Sequence, residues 1–460
     1  MGFFSTYMNM AKTAIMGSFL YIHNMYDFVD FAGNVNAGIS YLGTTVVLET
    51  DIDFSSYPVS LSPIGVDSEH SFMGTFEGKG HTLSNFKIST SSDYTGVFGY
   101  TQGATIRDLR VDSTCTISTN TLGTDVYIGG IVGYCISTKE SGCTIDGCMN
   151  AARVTFAGNT LKSHKTAGGI IGKCISLNDK ECTITNSMSY GVVKHSGLGK
   201  GSIMGGICGV CEISNDENAK CTIYNSGAYG PIIHSGTVNE KLVMGAVLGA
   251  GVNAVVENCV AAASITSGRK SKTSGSIAGS LVESKVSRVF WEEAQGALNP
   301  CDDMDKKTKL DGTSKIPTSF NSQTVEALNR HRKEKLGLIG GLSNGNTHEW
   351  VFLHTNGGTA NNATRDAILT HRGFVPRVHK AHHVFLEWCE DEGLTEKCGY
   401  SPVVSEATEF YAKYAEAKIE EGYKETKEEI KEENKEEIKE EIKEEIKEEI
   451  KEEIKEEVKK

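Results

Sequence analysis

The pattern of apolar and polar positions changes character along this chain. From about residue 39 to 295, short apolar runs rich in Ile and Val are broken by glycine. YIGGIVGYC begins at Tyr127, TAGGIIGKC at Thr166, IMGGICGVC at Ile203 and VMGAVLGAG at Val243. YTGVFGY at Tyr94 is a shorter copy, and FMGTFEGKG at Phe72 and TSGSIAGSL at Thr273 are degenerate ones. Runs this short, bounded by glycine, predict strands. A second motif follows each main copy: TIRDL at Thr105, TIDGC at Thr144, TITNS at Thr183, TIYNS at Thr222 and VVENC at Val255. Upstream, Met25 to Val35 reads as a helix. Beyond Trp291 the repeats stop, and TVEALNRHRKEKLG from Thr324 places Val325 and Leu328 at helical spacing.

The glycines Gly133, Gly172, Gly209 and Gly249 recur every 37 to 40 residues. One such repeat cannot enclose a core, but stacked repeats can. The repeat glycines Gly96, Gly99, Gly130, Gly133, Gly169, Gly172, Gly206, Gly209, Gly245 and Gly249 are expected to supply tight corners, positive φ and clearance. The column Asp108, Gly147, Asn186, Asn225, Asn258 would stack as a polar ladder at one corner. These registers predict an all-β fold, a right-handed parallel β-solenoid. At about 20 residues per coil it would have about a dozen coils and be roughly 60 Å long. A propeller with 40-residue blades is the alternative; its signatures are missing and the strands are too short for blades.

Composition narrows the picture. The 460 residues include 50 Gly and only 7 Pro, with no collagen period. Scarce proline fits a chain whose strands must donate their N–H groups. Net charge is −13, and Lys424 to Lys460 holds −6 of it, so a nucleic-acid partner is not expected. No apolar run is long enough for a transmembrane segment. Ala14 to Ile22 comes nearest to a secretory core, but it is short, contains Gly17 and lacks a clear cleavage site. Met1-Gly2 with Thr6 fits only loosely the pattern for N-terminal acylation.

The repeats resemble the GLUG motif of bacterial and protist surface proteins. The segment DFVDFAGNVNAGISYLGTTVVLETDIDF from Asp27, with SPIG at Ser62 and FMGTFEGKGHTLSNFKI at Phe72, is similar to the leader that precedes such repeats. The resemblance covers roughly residues 25–295 and implies a β-helix in an adhesion-linked, surface or secreted protein, without naming a ligand. Residues 349–414 are similar to the internalin B-repeat (Listeria–Bacteroides repeat), a small β-grasp module. The matching positions are the turn Asn356, Gly357, Gly358, the tryptophan Trp388 and the closing Tyr411-Ala412. Cys389 departs from that family's usual aromatic, and Thr359 to Val378 fits its pattern poorly. The resemblance implies a non-catalytic spacer or adhesion unit. The expected organisation is thus a segment 1–24, a solenoid 25–295, a linker with a short helix 296–348, the module 349–414 and a charged helix 415–460. In that last segment KEEI repeats place Ile438, Ile442, Ile446, Ile450 and Ile454 four apart, so they spiral around the helix instead of forming a seam.

Three repeats carry a cysteine pair around a polar insert: Cys135 with Cys143, Cys174 with Cys182 and Cys211 with Cys221. Cys389 and Cys398 make a fourth pair. Two readings stay open: disulfides stapling each loop, or two stacked columns of buried free thiols. Only Cys208 and Cys211 have zinc-like spacing, and no second short pair accompanies them, so no metal site is assigned. His379, His382 and His383 read as a polar turn before a strand, with metal binding as the sharper alternative. Asp51, Asp53 and Asp67 gather in the leader. The ladder column turns to amides along the stack, which does not suit acid–base work. No catalytic residue and no cofactor are therefore expected. The favoured reading is a non-enzymatic, adhesin-like repeat protein at the cell surface or secreted. It would bind a host or matrix protein or a glycan through the solenoid side, with residues 136–142, 175–181 and 212–220 as contact loops. A structural or intracellular scaffold is the alternative, and a carbohydrate-active β-helix enzyme comes third.

Overall fold

The computed structural model describes residues 18–416 apart from 159, 178, 215–218, 269–271, 293–298, 317–321, 337–348, 357–358, 361–366, 372–377, 400–406 and 408. The charged KEEI segment therefore lies outside the described residues.

The chain folds as a parallel β-solenoid. Ser18–Ile22 pairs in parallel with Thr44–Leu48, and later strands pair with their equivalents one coil on. Ten strands stack from Ser18–Ile22 to Lys309–Asp311, and nine from Ile52–Asp53 to Ser314–Ile316. Seven run from Phe98–Gln102 to Cys301–Met304. Two six-stranded sheets run from Lys87–Thr90 to Ile265–Ser267 and from Tyr94–Thr95 to Thr273–Gly275.

One coil crosses all five sheets. Cys143–Asp146, Met149–Asn150, Arg153–Phe156, His164–Gly168 and Ile171–Leu177 complete a circuit before Cys182–Thr185 begins the next. Equivalent threonines Thr144 and Thr183 stand 39 residues apart. A coil is therefore a whole repeat, not the half repeat of about 20 residues expected from the sequence. The two motifs of a repeat lie on different walls of one coil. Ten rungs at the usual strand spacing give a rod of about 43 Å, shorter than the expected length.

Alternation puts one residue in two into the core. Ile106, Ile145, Ile184, Ile223, Val256 and Val286 form one buried inward column. Each such aliphatic contributes about 1.5–3 kcal/mol by leaving water. Helix α1 (Met25–Asn36) closes the first end. Asn24 caps it, its side chain accepting from Tyr26 N and Asp27 N. Phe28, Phe31, Ala32 and Val35 are buried, and Phe31 meets Phe72 edge-on at 5.6 Å.

The repeat glycines supply the expected clearance but not the expected positive φ. None of the ten has positive φ. Instead a side chain would strike neighbouring backbone: a Cβ at Gly172 would stand 2.8 Å from Ile128 N, and one at Gly209 2.7 Å from Ala167 O. Two walls meet so closely at this corner that only hydrogen fits. The left-handed corner is the polar ladder, where Asp108, Gly147, Asn186, Asn225 and Asn258 all have φ between 49° and 64°.

The described residues separate into two compact units, one running up to Lys380 and resuming over Phe385–Lys413, the other made of Ala381–Val384 and the described residues from Tyr414 on. Beyond the solenoid, the first unit contains helix α2 (Ser322–Leu336) and a five-stranded mixed sheet. Trp350–His354 pairs antiparallel with Ala367–His371 and parallel with Glu409–Glu416. Trp388 is fully buried there, and Asn356 Nδ2 donates to Ala412 O at 2.8 Å. In the second unit His383 Nδ1 lies 2.7 Å from Ala381 O.

Candidate functional site

The outer face near the glycine corner carries four tyrosines. Tyr94 and Tyr127 are neighbours in one six-stranded sheet, and Tyr100 and Tyr134 in the seven-stranded sheet. Val126, Ile128 and Cys135 are buried in the core, so Tyr127 and Tyr134, which alternate with them, point out. Tyr94 stacks on Tyr127 with centroids 5.8 Å apart and a 12° tilt, and Tyr100 stacks on Tyr134 at 4.9 Å. Tyr94 and Tyr100 meet edge-on at 4.8 Å, joining the pairs into one cluster. On the next rung Lys173 Nζ sits 5.4 Å from the Tyr127 ring centre and 2.6 Å from Glu212 Oε1. Burial, then the carboxylates of Asp93, Asp125 and Asp67, push the Tyr94 phenol above its usual range. Burial first pushes Tyr100 up to about 12. The phenols therefore stay protonated at neutral pH and are available as hydrogen-bond donors. Sequence reasoning missed this cluster, although YTGVFGY and YIGGIVGY each begin and end on tyrosine.

Inside the coil the cysteines form two facing columns. Cys135, Cys174 and Cys211 share a register on the seven-stranded sheet, and Cys143, Cys182 and Cys221 on the ten-stranded sheet. All six are buried free thiols, as are Cys208 and Cys389. Of the two open readings, the structure takes the stacked columns of buried free thiols, and the stapling disulfides Cys135–Cys143, Cys174–Cys182 and Cys211–Cys221 are not formed. The two columns face one another across the core, so thiols meet across coils as well as within them. Cys174 Sγ lies 3.4 Å from Cys211 Sγ and 3.5 Å from Cys221 Sγ, and Cys143 Sγ reaches Ile136 O at 3.1 Å. For the fourth possible pair, Cys389 is a free thiol and the Cys398 side chain lies outside the described residues. The thiols share hydrogen bonds. Those from Cys135, Cys143, Cys174 and Cys221 pull Cys182 well below the usual thiol range, whereas burial holds Cys208 well above it.

The polar ladder is present and continuous over three amides. Asn258 Nδ2 donates to Asn225 Oδ1 and Asn225 Nδ2 to Asn186 Oδ1, both at 2.8 Å, and Asn186 Nδ2 reaches Asp146 Oδ1 at 2.6 Å. The C-terminal part of the unit packs on it: Trp350 Nε1 donates to Asn225 Oδ1 at 2.6 Å, and Tyr190 OH meets Thr370 Oγ1 at 2.8 Å. The segment likened to a spacer is thus held against the solenoid wall. At the ladder's start, burial and then Asp146 and Glu77 push the Asp108 carboxyl up to about 6. Two carboxylates do approach here, but Asp146 is occupied by Thr185 and Asn186, and Glu77 pairs with Arg107 at 3.2 Å.

The remaining candidates are structural or solvated. Asp51 accepts from Thr82 N, Asp53 from Ser55 N and Asp67 from His70 N, each at 2.8 Å. They shape turns and do not converge. In the loop group Lys139, Glu140 and Ser141 are exposed, while Leu177 and Ser214 are strand ends; 178 and 215–218 lie outside the described residues. His382 is exposed with φ 61°, and the His379 side chain lies outside the described residues.

No family model matches the chain, and no curated protein does. Among solved structures it is similar to a Bacteroides ovatus protein titled a "putative immunoglobulin A1 protease", at 16% identity and a TM-score of 0.44. That match covers 68% of this chain and 87% of the other. No described helix is long and apolar enough to cross a membrane.

Proposed function

We propose that this chain is a non-catalytic, adhesin-like binding rod, surface-displayed or secreted, that takes a glycan on the tyrosine face of its solenoid. The observation that carries this reading is the cluster Tyr94, Tyr100, Tyr127 and Tyr134. Three of the four rings are half-exposed on rigid strands. Tyrosines held this way offer broad apolar faces at low entropic cost, with phenol hydroxyls as polar handles. Those faces match the C–H faces of sugar rings, and the carboxylates of Asp93 and Asp125 nearby suit sugar hydroxyls. The rings repeat over two adjacent rungs and give way to Thr166 and Lys173 on the third, so the face is a short, bounded stacking patch.

The test is a glycan array probed with the full chain and with Tyr127→Ala/Tyr134→Ala. The reading expects glycan binding by the parent chain and at least a tenfold loss, about 1.4 kcal/mol, in the variant with an unchanged circular dichroism spectrum. Equal binding by both, or none by the parent, refutes it. Surface biotinylation of intact cells tests display, which fails if the chain is labelled only after lysis and is absent from the medium.

A further inference from the structure

The thiol columns carry an inference independent of the glycan reading. The sulfurs of Cys135, Cys143 and Cys182 all lie within 4.8 Å of one another, as do those of Cys174, Cys211 and Cys221. A trigonal ion about 2.3 Å from each sulfur needs sulfur–sulfur edges of about 4.0 Å. The two edges from Cys174, at 3.4 and 3.5 Å, need to open only slightly. Among the described residues no imidazole or carboxylate joins either group.

Packing alone does not call for sulfur here. In the coil before, the column of Cys135 holds Thr101; in the coil after, the two columns hold Gly251 and Ala254. Six facing cysteines occupy three consecutive coils and then give way to other small residues. They are also close to the surface in chain terms, since Cys182 and Cys221 directly follow the exposed Glu181 and Lys220.

We propose that these triads are two metal sites for a soft, thiophilic, monovalent d10 cation of the Cu(I) class. All-sulfur donor sets select soft ions. Three donors satisfy such an ion, whereas structural zinc takes four. One thiolate with two thiols also leaves a monovalent site neutral, which a buried position favours. Each ligating thiolate forms by releasing its proton to solvent as the ion enters.

The experiment titrates the reduced, oxygen-free full chain with Cu(I) against a colorimetric chelator, and counts bound ions by native mass spectrometry. Two copper ions per chain, with a sulfur-only shell by X-ray absorption, are expected. Cys182→Ala should leave one ion, and Cys182→Ala/Cys221→Ala none. Cys259→Ala, a buried cysteine outside the triads, should keep two. Parent stoichiometry and the sulfur shell are read without any variant, so misfolding of a variant does not shield the proposal. No copper retained by the parent against the chelator overturns it. So do two ions retained by the double variant, tetrahedral Co(II) binding where Cu(I) fails, or disulfides mapped among the six cysteines of the freshly isolated chain.

Discussion

Replacing Asn225 by alanine tests how the polar ladder holds the fold. Asn225 is fully buried at φ 49°, and its Oδ1 accepts from Asn258 Nδ2 and Trp350 Nε1. Asn258 and Trp350 are themselves fully buried, so truncation strands two donors away from water. Each such donor costs roughly 1–3 kcal/mol. Asn186, at the other end of the lost bond, is half-buried and adds less. Alanine in the left-handed region adds roughly 1–2 kcal/mol of strain that asparagine largely escapes. The expected loss is therefore about 3–8 kcal/mol. Asn225→Gly keeps the lost hydrogen bonds lost but removes the strain, so it should lie above Asn225→Ala by about 1 kcal/mol. Gly147 already occupies the equivalent position two coils earlier. Urea unfolding of the full chain, followed by circular dichroism and tryptophan fluorescence, measures both. A loss under 1 kcal/mol for alanine refutes the ladder as a support. Equal midpoints for alanine and glycine refute the strain term.

Asp108 is raised in the folded state, so the fold binds more protons than the unfolded chain between about pH 4 and 6, and loses stability as pH rises through that window. Asp108→Asn should remove that pH dependence and stabilise the chain above pH 6 by up to about 1 kcal/mol after screening; thermal melts from pH 4 to 8 check it. His195 behaves in the opposite sense: burial, His234 and Lys165 push it down to about 3, so its contribution is present above about pH 6.5 and is lost as pH falls toward 3. NMR titration of its imidazole should find no protonation at pH 5, and a midpoint near 6.5 would refute the burial argument. Gly209→Ala should destabilise by about 1–3 kcal/mol in the same urea assay, because the added carbon has backbone on more than one side; an unchanged midpoint would mean that the walls can part there.

Much of the solenoid could be read from local signals. The Ile and Val runs, the Asp/Asn column and the helix over Met25–Asn36 all follow from period and residue type. Coil length could not be read so directly. Whether two strand motifs belong to one circuit or to two depends on how many walls close the tube, and no single residue encodes that number. The positive φ expected of the repeat glycines failed for a related reason, while the clearance expected of them held. Sequence alone makes positive φ the default explanation, whereas the approach of Gly209 to Ala167 exists only once two walls meet. The tyrosine face and the thiol triads needed register: Tyr94 and Tyr127, or Cys143 and Cys182, become neighbours only through strands from adjacent coils. Linear spacing rules for metal ligands assume donors on one local loop, and so pass over a site assembled across a stack.

The coils do not stay the same size. Equivalent residues are 39 apart at Asn186 and Asn225, 33 at Asn225 and Asn258, 30 at Ala254 and Ser284, and 24 at Ser284 and Thr308. Among the described residues the six-stranded sheets end first, and the last circuit shows only Cys301–Met304, Lys309–Asp311 and Ser314–Ile316. The coils are shorter at the α1 end too, with 30 residues between Thr45 and Thr75 and between Thr75 and Thr105, so the largest turns stand in the middle of the stack. Such an object has a preferred place of growth built into it. A duplicated coil fits between two of the full-sized turns, where its neighbours already match it, but at either shortened end it would overhang unpaired backbone. Gene duplication can therefore lengthen this protein from the middle, while both of its ends stay as they are.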